Sequence, residues 1–194
     1  YILFGRNVEN RTQLRALTDA LRAIHGRDRL LITIDQEGGR VARMKPPEWL
    51  AYPPGEAFDR LFDLAPASAI EAARANAEAM GHDLAEVGIT CTHAPVLDVR
   101  QPGAHDVIGD RAHGSEPLRV AALGRAVLDG LERAGICGTI KHMPGHGRAL
   151  ADSHKELPTV TASAVELASD LAPFKALAHA PMAMTGHIRF TAWD

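Results

Sequence analysis

Short apolar segments that resemble β-strands alternate along this chain with segments of helical periodicity, and this alternation limits the fold more than any other feature. A strand followed by a helix, repeated several times, is typical of parallel βα units, because each helix returns the chain to the start of the next strand. The apolar segments predict five strands, at residues 1–4, 30–35, 89–99, 136–142 and 181–188. The sequence therefore predicts an α/β protein with a parallel sheet.

Four helices are predicted between and after these strands. Leucine and isoleucine residues at helical spacing from Leu14 to Ile24 indicate the first helix. A serine followed three residues later by a glutamate is a capping box, and such pairs predict that helices open at Ser68 and Ser163. The remaining helix opens within residues 115–117. Glycines mark the predicted ends of the first three helices, at Gly26, Gly88 and Gly135.

Polar residues gather where the predicted strands end. Asp35 follows the second strand, Asp98 closes the third, Lys141 and His142 the fourth, and His187 the fifth. In a (β/α)8 TIM barrel the carboxyl ends of all strands open onto one face, which carries the chemistry. A doubly wound sheet would place ligands chiefly at one switch point. We therefore expect a barrel, incomplete in this chain, with its first strand and its last strands missing.

One segment, residues 141–158, reads KHMPGHGRALADSHKELP and follows an apolar strand. It contains three histidines, two lysines and one aspartate, interrupted by glycine and proline. Because charged and imidazole groups are rarely buried without partners, we expect the segment to lie outside the core. A strand that delivers such groups into a glycine-rich loop is typical of α/β enzymes. The chain is therefore predicted to be an enzyme.

The composition excludes several other classes of protein. With 194 residues, we expect residues 1–194 to form one partial catalytic domain. The net charge of −3 argues against a nucleic-acid partner, and no apolar run is long enough to span a membrane. Cys91 and Cys137 are interpreted as reduced core thiols, which favours a reducing compartment and a cytoplasmic location. Because the first residue is Tyr1, the chain is expected to be an internal or processed piece.

Five sequence motifs span nearly the whole chain: IDQEGGRVAR (34–43), APVLDV (94–99), IGDRAH (108–113), KHMPGHG (141–147) and DSHKELP (152–158). Together they resemble glycoside hydrolase family 3, and specifically its bacterial β-N-acetylglucosaminidase branch in peptidoglycan recycling. They occur in the family's order. The pairing of KH-x-PGHG with D-S-H is the most specific part of the resemblance.

The resemblance implies a retaining glycosidase that acts on terminal N-acetylglucosamine in muropeptides or chitin-type glycans, without a cofactor or metal. It implies that His154 is the general acid/base and that Asp152 pairs with it. The family's nucleophile is an aspartate in a later motif that is absent from these residues, so we expect the 194-residue piece alone to be inactive. The resemblance also implies that five residues hold the sugar: Asp35, Arg43, Arg111, Lys141 and His142.

The residue types alone leave simpler interpretations open for each position. Asp152 and His154, two apart, could share one side of a loop, with the carboxylate favouring the imidazolium needed for general acid catalysis, or could form a surface turn. Lys141 and His142 could be a solvent-exposed strand end. Asp35 could cap the turn at Gly38 and Gly39 rather than accept paired sugar hydroxyls. Arg43 and Arg111 could instead be surface or ion-pair residues. Gly145 and Gly147 could serve only to let the backbone turn tightly.

Two alternative functions remain at this point. His142 and His146 have the spacing of a metal-binding pair, with further ligands available from other histidines, so a metal-dependent barrel hydrolase is possible; Pro144 and Gly145 argue against the regular helix such a pair needs. A non-catalytic sugar-binding fragment is the other alternative. The nine aromatic residues are few for a stacking surface. The additional histidines considered are His93, His105, His113 and His187.

Overall fold

The computed structural model describes residues 1–151 and 157–193. The strands are β1 (Ile2–Leu3), β2 (Thr33–Ile34), β3 (Cys91–Thr92), β4 (Cys137–Met143), β5 (Thr159–Val160), β6 (Met182–Thr185) and β7 (Arg189–Phe190). The α-helices are α1 (Arg11–His25), α2 (Gly55–Leu64), α3 (Pro66–Glu86), α4 (Pro117–Arg133) and α5 (Ala164–Ala176). Two short 3-10 helices cover Gly5–Asn7 and Gly109–Arg111.

The main sheet is entirely parallel and follows the order β1-β2-β3-β4-β6. A two-stranded parallel sheet, β5-β7, lies beside it. The five strands lie side by side in chain order, without the reversal that defines a doubly wound sheet. This order is that of an incomplete (β/α)8 barrel, as predicted, and all five carboxyl ends point to the same edge.

Four of the five predicted strands are shorter than predicted, whereas β4 has the predicted length, and the third strand shows the reason for shortening most clearly. The sequence predicts a strand over residues 89–99, but the ladder covers only Cys91–Thr92. Pro95 has no N–H with which to continue the ladder. Beyond it, Val96 forms an isolated bridge to Lys141, and the Leu97 N–H donates to the Lys141 carbonyl at 2.7 Å. The chain therefore stays beside β4 and carries Asp98 to the sheet's edge.

The helix starts were predicted correctly at one capping box and wrongly at the other. Ser163 accepts a hydrogen bond from the Glu166 N–H, and the Glu166 side chain accepts one from the Ser163 N–H, so α5 has the predicted box. The prediction at Ser68 is wrong, because α3 already begins at Pro66, a residue suited to a first helical turn. The preceding helix α2 was not predicted at all.

The core lies between the sheet and the helices packed on it. Leu14 of α1, Ile32 and Ile34 around β2, and Leu84 of α3 are fully buried in one apolar cluster. Both cysteines are free thiols, as predicted, but only Cys91 is buried in the core, whereas Cys137 is half-buried. Burial raises the pKa of the Cys91 thiol to about 11, which makes it a poor nucleophile. Among the described residues, no helix is both long and apolar enough to cross a membrane.

Candidate active site

A cleft of about 570 Å³ opens at the carboxyl ends of the parallel strands. Its floor is polar and charged, whereas part of its wall is apolar. The apolar part comes from the ends of β1 and β6 and from the segment before α4. Charged and imidazole groups lining the cleft are Asp35, Glu37, Arg43, His93, Arg111, Lys141, His142, His146 and His187. All five residues predicted to hold a sugar are therefore brought together at one place.

The turn that follows β2 is held by its own backbone and by one buried amide. The Gln36 side chain accepts hydrogen bonds from the N–H groups of Arg43 and Met44 and donates to the Met44 carbonyl. Gly38 has a φ of +101°, and a Cβ there would lie 2.3 Å from the Pro53 carbonyl oxygen. Glycine is thus required at this turn, which places Glu37 beside Asp35 at the cleft floor.

Asp35 is an acceptor for three side chains and does not cap the glycine turn. Its Oδ1 accepts from His93 Nδ1 at 3.1 Å and from Lys141 Nζ at 3.3 Å, and its Oδ2 lies 3.2 Å from Arg43 Nη2. A carboxylate offers about four acceptor positions. Asp35 therefore retains room for about one further hydroxyl on Oδ2, and the capping interpretation is wrong.

Lys141 lies in the core, not in solvent. Its side chain is 2% exposed, with Nζ 3.3 Å from Asp35 Oδ1 and 2.5 Å from Glu37 Oε1. The expectation that the whole 141–158 segment lies outside the core is therefore wrong at Lys141 and also at His146, which is buried. Two carboxylates offset the desolvation of the ammonium, which the sequence argument did not foresee. One N–H of Lys141 remains available to the cleft.

Arg111 makes a two-pronged ion pair with Glu37. Its Nε and Nη2 lie 2.8 Å from Glu37 Oε2 and Oε1, and Nη1 donates to the Val107 carbonyl at 3.0 Å. Its Nη2 also lies 3.5 Å from His142 Nε2, so four of the five N–H groups of the guanidinium are engaged within the protein. We call Asp35, Glu37, Arg111 and Lys141 the cleft cluster.

His142 is oriented by a completely buried carboxylate, Asp98. His142 Nδ1 lies 2.6 Å from Asp98 Oδ2, while Asp98 Oδ1 accepts from the backbone N–H groups of His142 and His146 at 3.2 and 2.7 Å. With Nδ1 bonded to the carboxylate, His142 Nε2 faces the cleft, 3.5 Å from Arg111 Nη2. The interpretation of Lys141 and His142 as a solvated strand end is therefore wrong.

The KHMPGHG loop is packed tightly against Val99, in the segment that follows β3. A Cβ at Gly147 would lie only 1.9 Å from the Val99 carbonyl oxygen, so close packing, not a tight turn alone, requires glycine there. Gly145, with a φ of +138°, is the turn-forming glycine that was predicted. Immediately after the loop, Arg148 Nε lies 2.6 Å from Asp170 Oδ2 on α5. These contacts fix where the loop leaves the cleft.

The two carboxylates of the cleft cluster are balanced by its two cations, and Asp98 is balanced by the groups that donate to it. These partners determine the pKa values of the three carboxyls. Burial by itself would raise the pKa of Asp35, but the hydrogen bond from His93 and the charge of Lys141 outweigh it and hold that pKa well below its ordinary value. Burial likewise opposes ionisation of Glu37, yet Arg111 and Lys141 lower its pKa. For Asp98, the His142 ring and the backbone donors overcome burial and lower the pKa. All three carboxyls are therefore ionised at neutral pH.

The histidines considered as metal ligands are mostly committed elsewhere. His93 bonds to Asp35, His113 to the Val96 carbonyl, and His105 Nδ1 accepts from the Val107 N–H. The rings of His142 and His146 meet edge to face at 5.8 Å. Within residues 1–151 and 157–193, no three acidic, histidine or cysteine side chains are grouped so that they could hold a metal ion.

Sequence reasoning missed Glu37, the role of Asp98, and the pairing of His93 with Asp35, since His93 was considered only as a metal ligand. The predicted pair Asp152 and His154 lies outside the described residues. Glu37 was visible only as part of the DQEGGR turn, although its position two residues after Asp35 gives it the same side of an extended chain. Asp98 was noted as the end of a strand. Its partner His142 lies 44 residues away, a pairing that no local pattern reveals.

Comparison with known proteins agrees with this geometry. The model of the glycosyl hydrolase family 3 N-terminal domain matches residues 1–194. Two proteins named Beta-hexosaminidase, from Bordetella avium and Alkalilimnicola ehrlichii, are 38% and 42% identical over 196 and 197 residues, which span 100% of this chain and 55% and 56% of theirs. The chain thus spans about half the length of these curated relatives.

Solved structures show the same likeness in three dimensions. The crystal structure of native NagZ from Neisseria gonorrhoeae superimposes with a TM-score of 0.92 at 35% identity, covering 100% of this chain and 56% of that one. The same protein in complex with N-trifluoroacetyl-D-glucosamine gives a TM-score of 0.93 at 35% identity, covering 100% of this chain and 57% of that one. The chain belongs to glycosyl hydrolase family 3, where it matches the N-terminal domain.

Proposed function

We propose that the full-length protein containing this chain removes terminal, non-reducing β-linked N-acetylglucosamine with retention of configuration. Its relatives are named Beta-hexosaminidase, and a structural neighbour holds N-trifluoroacetyl-D-glucosamine. We propose peptidoglycan fragments (muropeptides) or chitin-type glycans as the natural substrates. Within that protein, residues 1–194 are proposed to form one part of the catalytic barrel.

The observation that carries this proposal is the set of unused donors and acceptors on the cleft floor. Asp35 has about one acceptor position left, and Lys141 and Arg111 each have one N–H. His142 Nε2 and the Arg43 guanidinium lie on the same floor. A sugar ring carries several hydroxyls that both donate and accept, so mixed donors and acceptors at fixed positions suit it better than a charged ligand.

The reaction requires a proton donor beside the leaving oxygen and a nucleophile on the opposite side of the anomeric carbon. We propose His154 as general acid/base, with Asp152 orienting its ring; both assignments rest on the family resemblance. Asp35, Arg43, Arg111, Lys141 and His142 are proposed to bind the N-acetylglucosamine unit. They would fix the sugar so that the anomeric carbon meets the reacting groups, and such positioning supplies a large part of enzymatic rate enhancement.

We also propose a cytoplasmic location, supported by the two free thiols. Neither a cofactor nor a metal is part of the proposal. If the protein were instead a metal-dependent hydrolase, its activity would be lost in a chelator.

The test uses the full-length protein and two aryl glycosides that differ only in the N-acetyl group. The aryl N-acetyl-β-glucosaminide should be hydrolysed, the aryl β-glucoside much more slowly, and activity should persist in a chelator. An NMR time course should show the β-anomer of N-acetylglucosamine as the first product. The α-anomer as first product would contradict retention, and tight sugar binding without hydrolysis would favour a non-catalytic binding protein.

A further inference from the structure

Glu37 stands out because it contacts two of the five proposed sugar-binding residues and belongs to none of the assigned roles. Its Oε1 forms an ion pair with Lys141 Nζ at 2.5 Å and accepts a hydrogen bond from Arg111 Nη2 at 2.8 Å, and its Oε2 accepts one from Arg111 Nε at 2.8 Å. The Glu37 side chain is 7% exposed. One carboxylate oxygen thus sets the positions of an ammonium and a guanidinium at once.

The charges explain why a carboxylate is needed at this place. Lys141 and Arg111 are two cations whose side chains are 2% and 10% exposed, so water screens their repulsion poorly. Asp35 accepts hydrogen bonds from Lys141, Arg43 and His93, but not from Arg111. Glu37 is the group that lies between the two cations and offsets their repulsion.

Glu37 is itself held before any ligand arrives. Its backbone N–H donates to the Val41 carbonyl at 2.9 Å, and the adjoining Gly38 pairs with Val41. The carboxylate therefore starts from a rigid turn. Its ion pair with Lys141 and the hydrogen bonds it accepts from Arg111 leave the remaining N–H groups of both cations pointing in fixed directions. This is preorganisation, in which the binding groups are ordered by the fold and not by the ligand.

We propose that Glu37 is a positioning residue that holds Lys141 and Arg111 at the separation and orientation in which they bind the N-acetylglucosamine unit. This inference rests on the proposed function and deepens it, since Glu37 would act on the sugar only through the other two residues. Glu37 would be neither the proton donor nor the nucleophile. Its loss should therefore weaken the sugar contacts equally, whatever leaving group the substrate carries.

The test compares Glu37→Gln with the wild-type full-length protein. An amide has nearly the same shape, but it carries no charge to offset the two cations. With its oxygen in the place of Oε1, its N–H₂ group would face the Arg111 Nε–H donor, so the two-pronged contact with Arg111 would be lost. A misplacement of about 1 Å costs about 100-fold in rate, and we expect a loss of that order in kcat/KM. The affinity for free N-acetylglucosamine, measured by calorimetry, should fall as well. The loss should be the same for good and poor aryl leaving groups, which a change in acid catalysis would not produce.

A double-variant cycle with Arg111→Met tests whether Glu37 acts through its partners. If it does, Glu37→Gln should cost clearly less in the Arg111→Met background, by about tenfold, because coupled residues are non-additive. Glu56→Gln is the matched control: Glu56 also accepts from two arginines, Arg60 and Arg100, but lies outside the cleft. It should leave kcat/KM and sugar affinity unchanged.

Glu37→Asp provides a second variant that keeps the charge but is one methylene too short to reach both cations. It should show a smaller loss with the same independence of leaving group, and it replaces Glu37→Gln if that variant does not fold. Unchanged sugar affinity in both variants, or losses that simply multiply in the double variant, would overturn the inference. Sugar binding that depends on Glu37 in a protein without hydrolysis would overturn only the proposed function.

Discussion

Two clusters of carboxylates and cations in this protein have similar chemistry and different surroundings. The cleft cluster lies at the carboxyl ends of the strands. A second set, which we call the outer cluster, consists of Glu56 and Asp59 on α2, Arg100, and Arg119 on α4. In it, Asp59 accepts from Arg119 Nη1 at 2.6 Å and Arg100 Nη2 at 3.2 Å, and Arg100 also reaches Glu56 at 2.8 Å.

The difference lies in what the unused hydrogen-bonding groups face. Those of the cleft cluster face a cavity of about 570 Å³. None of the four outer-cluster residues lines that cavity, and their contacts join α2 to the chain before and within α4. We infer that the ion pairs of the cleft cluster serve ligand binding, whereas those of the outer cluster hold α2 against α4 and the segment before it. Variants in the cleft should impair activity, and variants in the outer cluster should impair stability.

The largest effect is expected at the proposed proton donor, which belongs to neither cluster. His154→Ala in the full-length protein should lower turnover by about 10²–10⁴-fold on substrates with poor leaving groups, because general acid catalysis is lost. Activated aryl substrates, which need little protonation, should be affected much less. The check is kcat/KM measured across a series of aryl leaving groups. Equal rates for His154→Ala and wild type across the series would refute the assignment of His154.

A smaller loss, about 10–100-fold in kcat/KM, is expected for Asp98→Asn. Loss of a carboxylate that orients a functional histidine typically has an effect of this size where the histidine is a metal ligand, and Asp98 orients the His142 ring in the same way. The amide can still accept from the backbone donors, but its N–H₂ group would face His142 Nδ1 and disfavour the tautomer that Asp98 selects. The loss should not depend on the leaving group. ¹⁵N NMR of the histidine rings should show the tautomer change. Wild-type ring signals together with wild-type activity would show that Asp98 has only a structural role.

The same chemical change in the outer cluster, Asp59→Asn, should have the opposite outcome. It removes a charge-assisted hydrogen bond, so the free energy of unfolding should fall by about 1–3 kcal/mol. The activity of the folded protein should stay within about twofold of wild type, because sites without shared partners act independently. Urea unfolding and active-site-normalised kinetics provide the two measurements. A large loss of activity without a loss of stability would erase the distinction between the clusters.

The most gradual effect is the acid sensitivity that the cleft carboxyls confer. The pKa values of Asp35, Glu37 and Asp98 are lowered in the folded protein, whereas the same carboxyls have pKa values of about 4 in the unfolded chain. The unfolded state therefore binds more protons in acid, and the stability these groups contribute is present above about pH 4 and is lost as pH falls through the folded pKa values. Urea midpoints measured against pH should show a shallower acid slope for Glu37→Gln. An unchanged slope would contradict the lowered pKa of Glu37.

Several features of the fold were predictable because they depend on neighbouring residues. The end of α1 at Gly26 was predicted, and this glycine adopts a φ of 58°. The capping box at Ser163 was predicted for the same reason, since its two hydrogen bonds join residues three apart. The missed α2 begins after Pro54 and has no side-chain cap, so no local signal marked its start.

For the candidate site, the order of strands and the polar residues that follow them could be worked out from the sequence alone. Apolar periodicity and turn residues are local, and parallel strands bring their carboxyl ends together whatever lies between them. That argument placed Asp35, Lys141 and His142 on one face. It could not show that Lys141 is buried, because the compensating carboxylate of Asp35 lies 106 residues away.

Only the tertiary structure decided which carboxylate serves which cation. Each of the acids Glu37, Asp98, Glu56 and Asp59 is followed by an arginine within four residues. Nothing in this spacing separates the acids of the cleft from those of the outer cluster. A hydrogen bond requires that donor and acceptor lie about 3 Å apart. Which groups come this close depends on how strands and helices that are distant in sequence pack together. The sequence thus determined which residue types are present near the site, whereas the tertiary structure decided their charge states, their partners and their exposure.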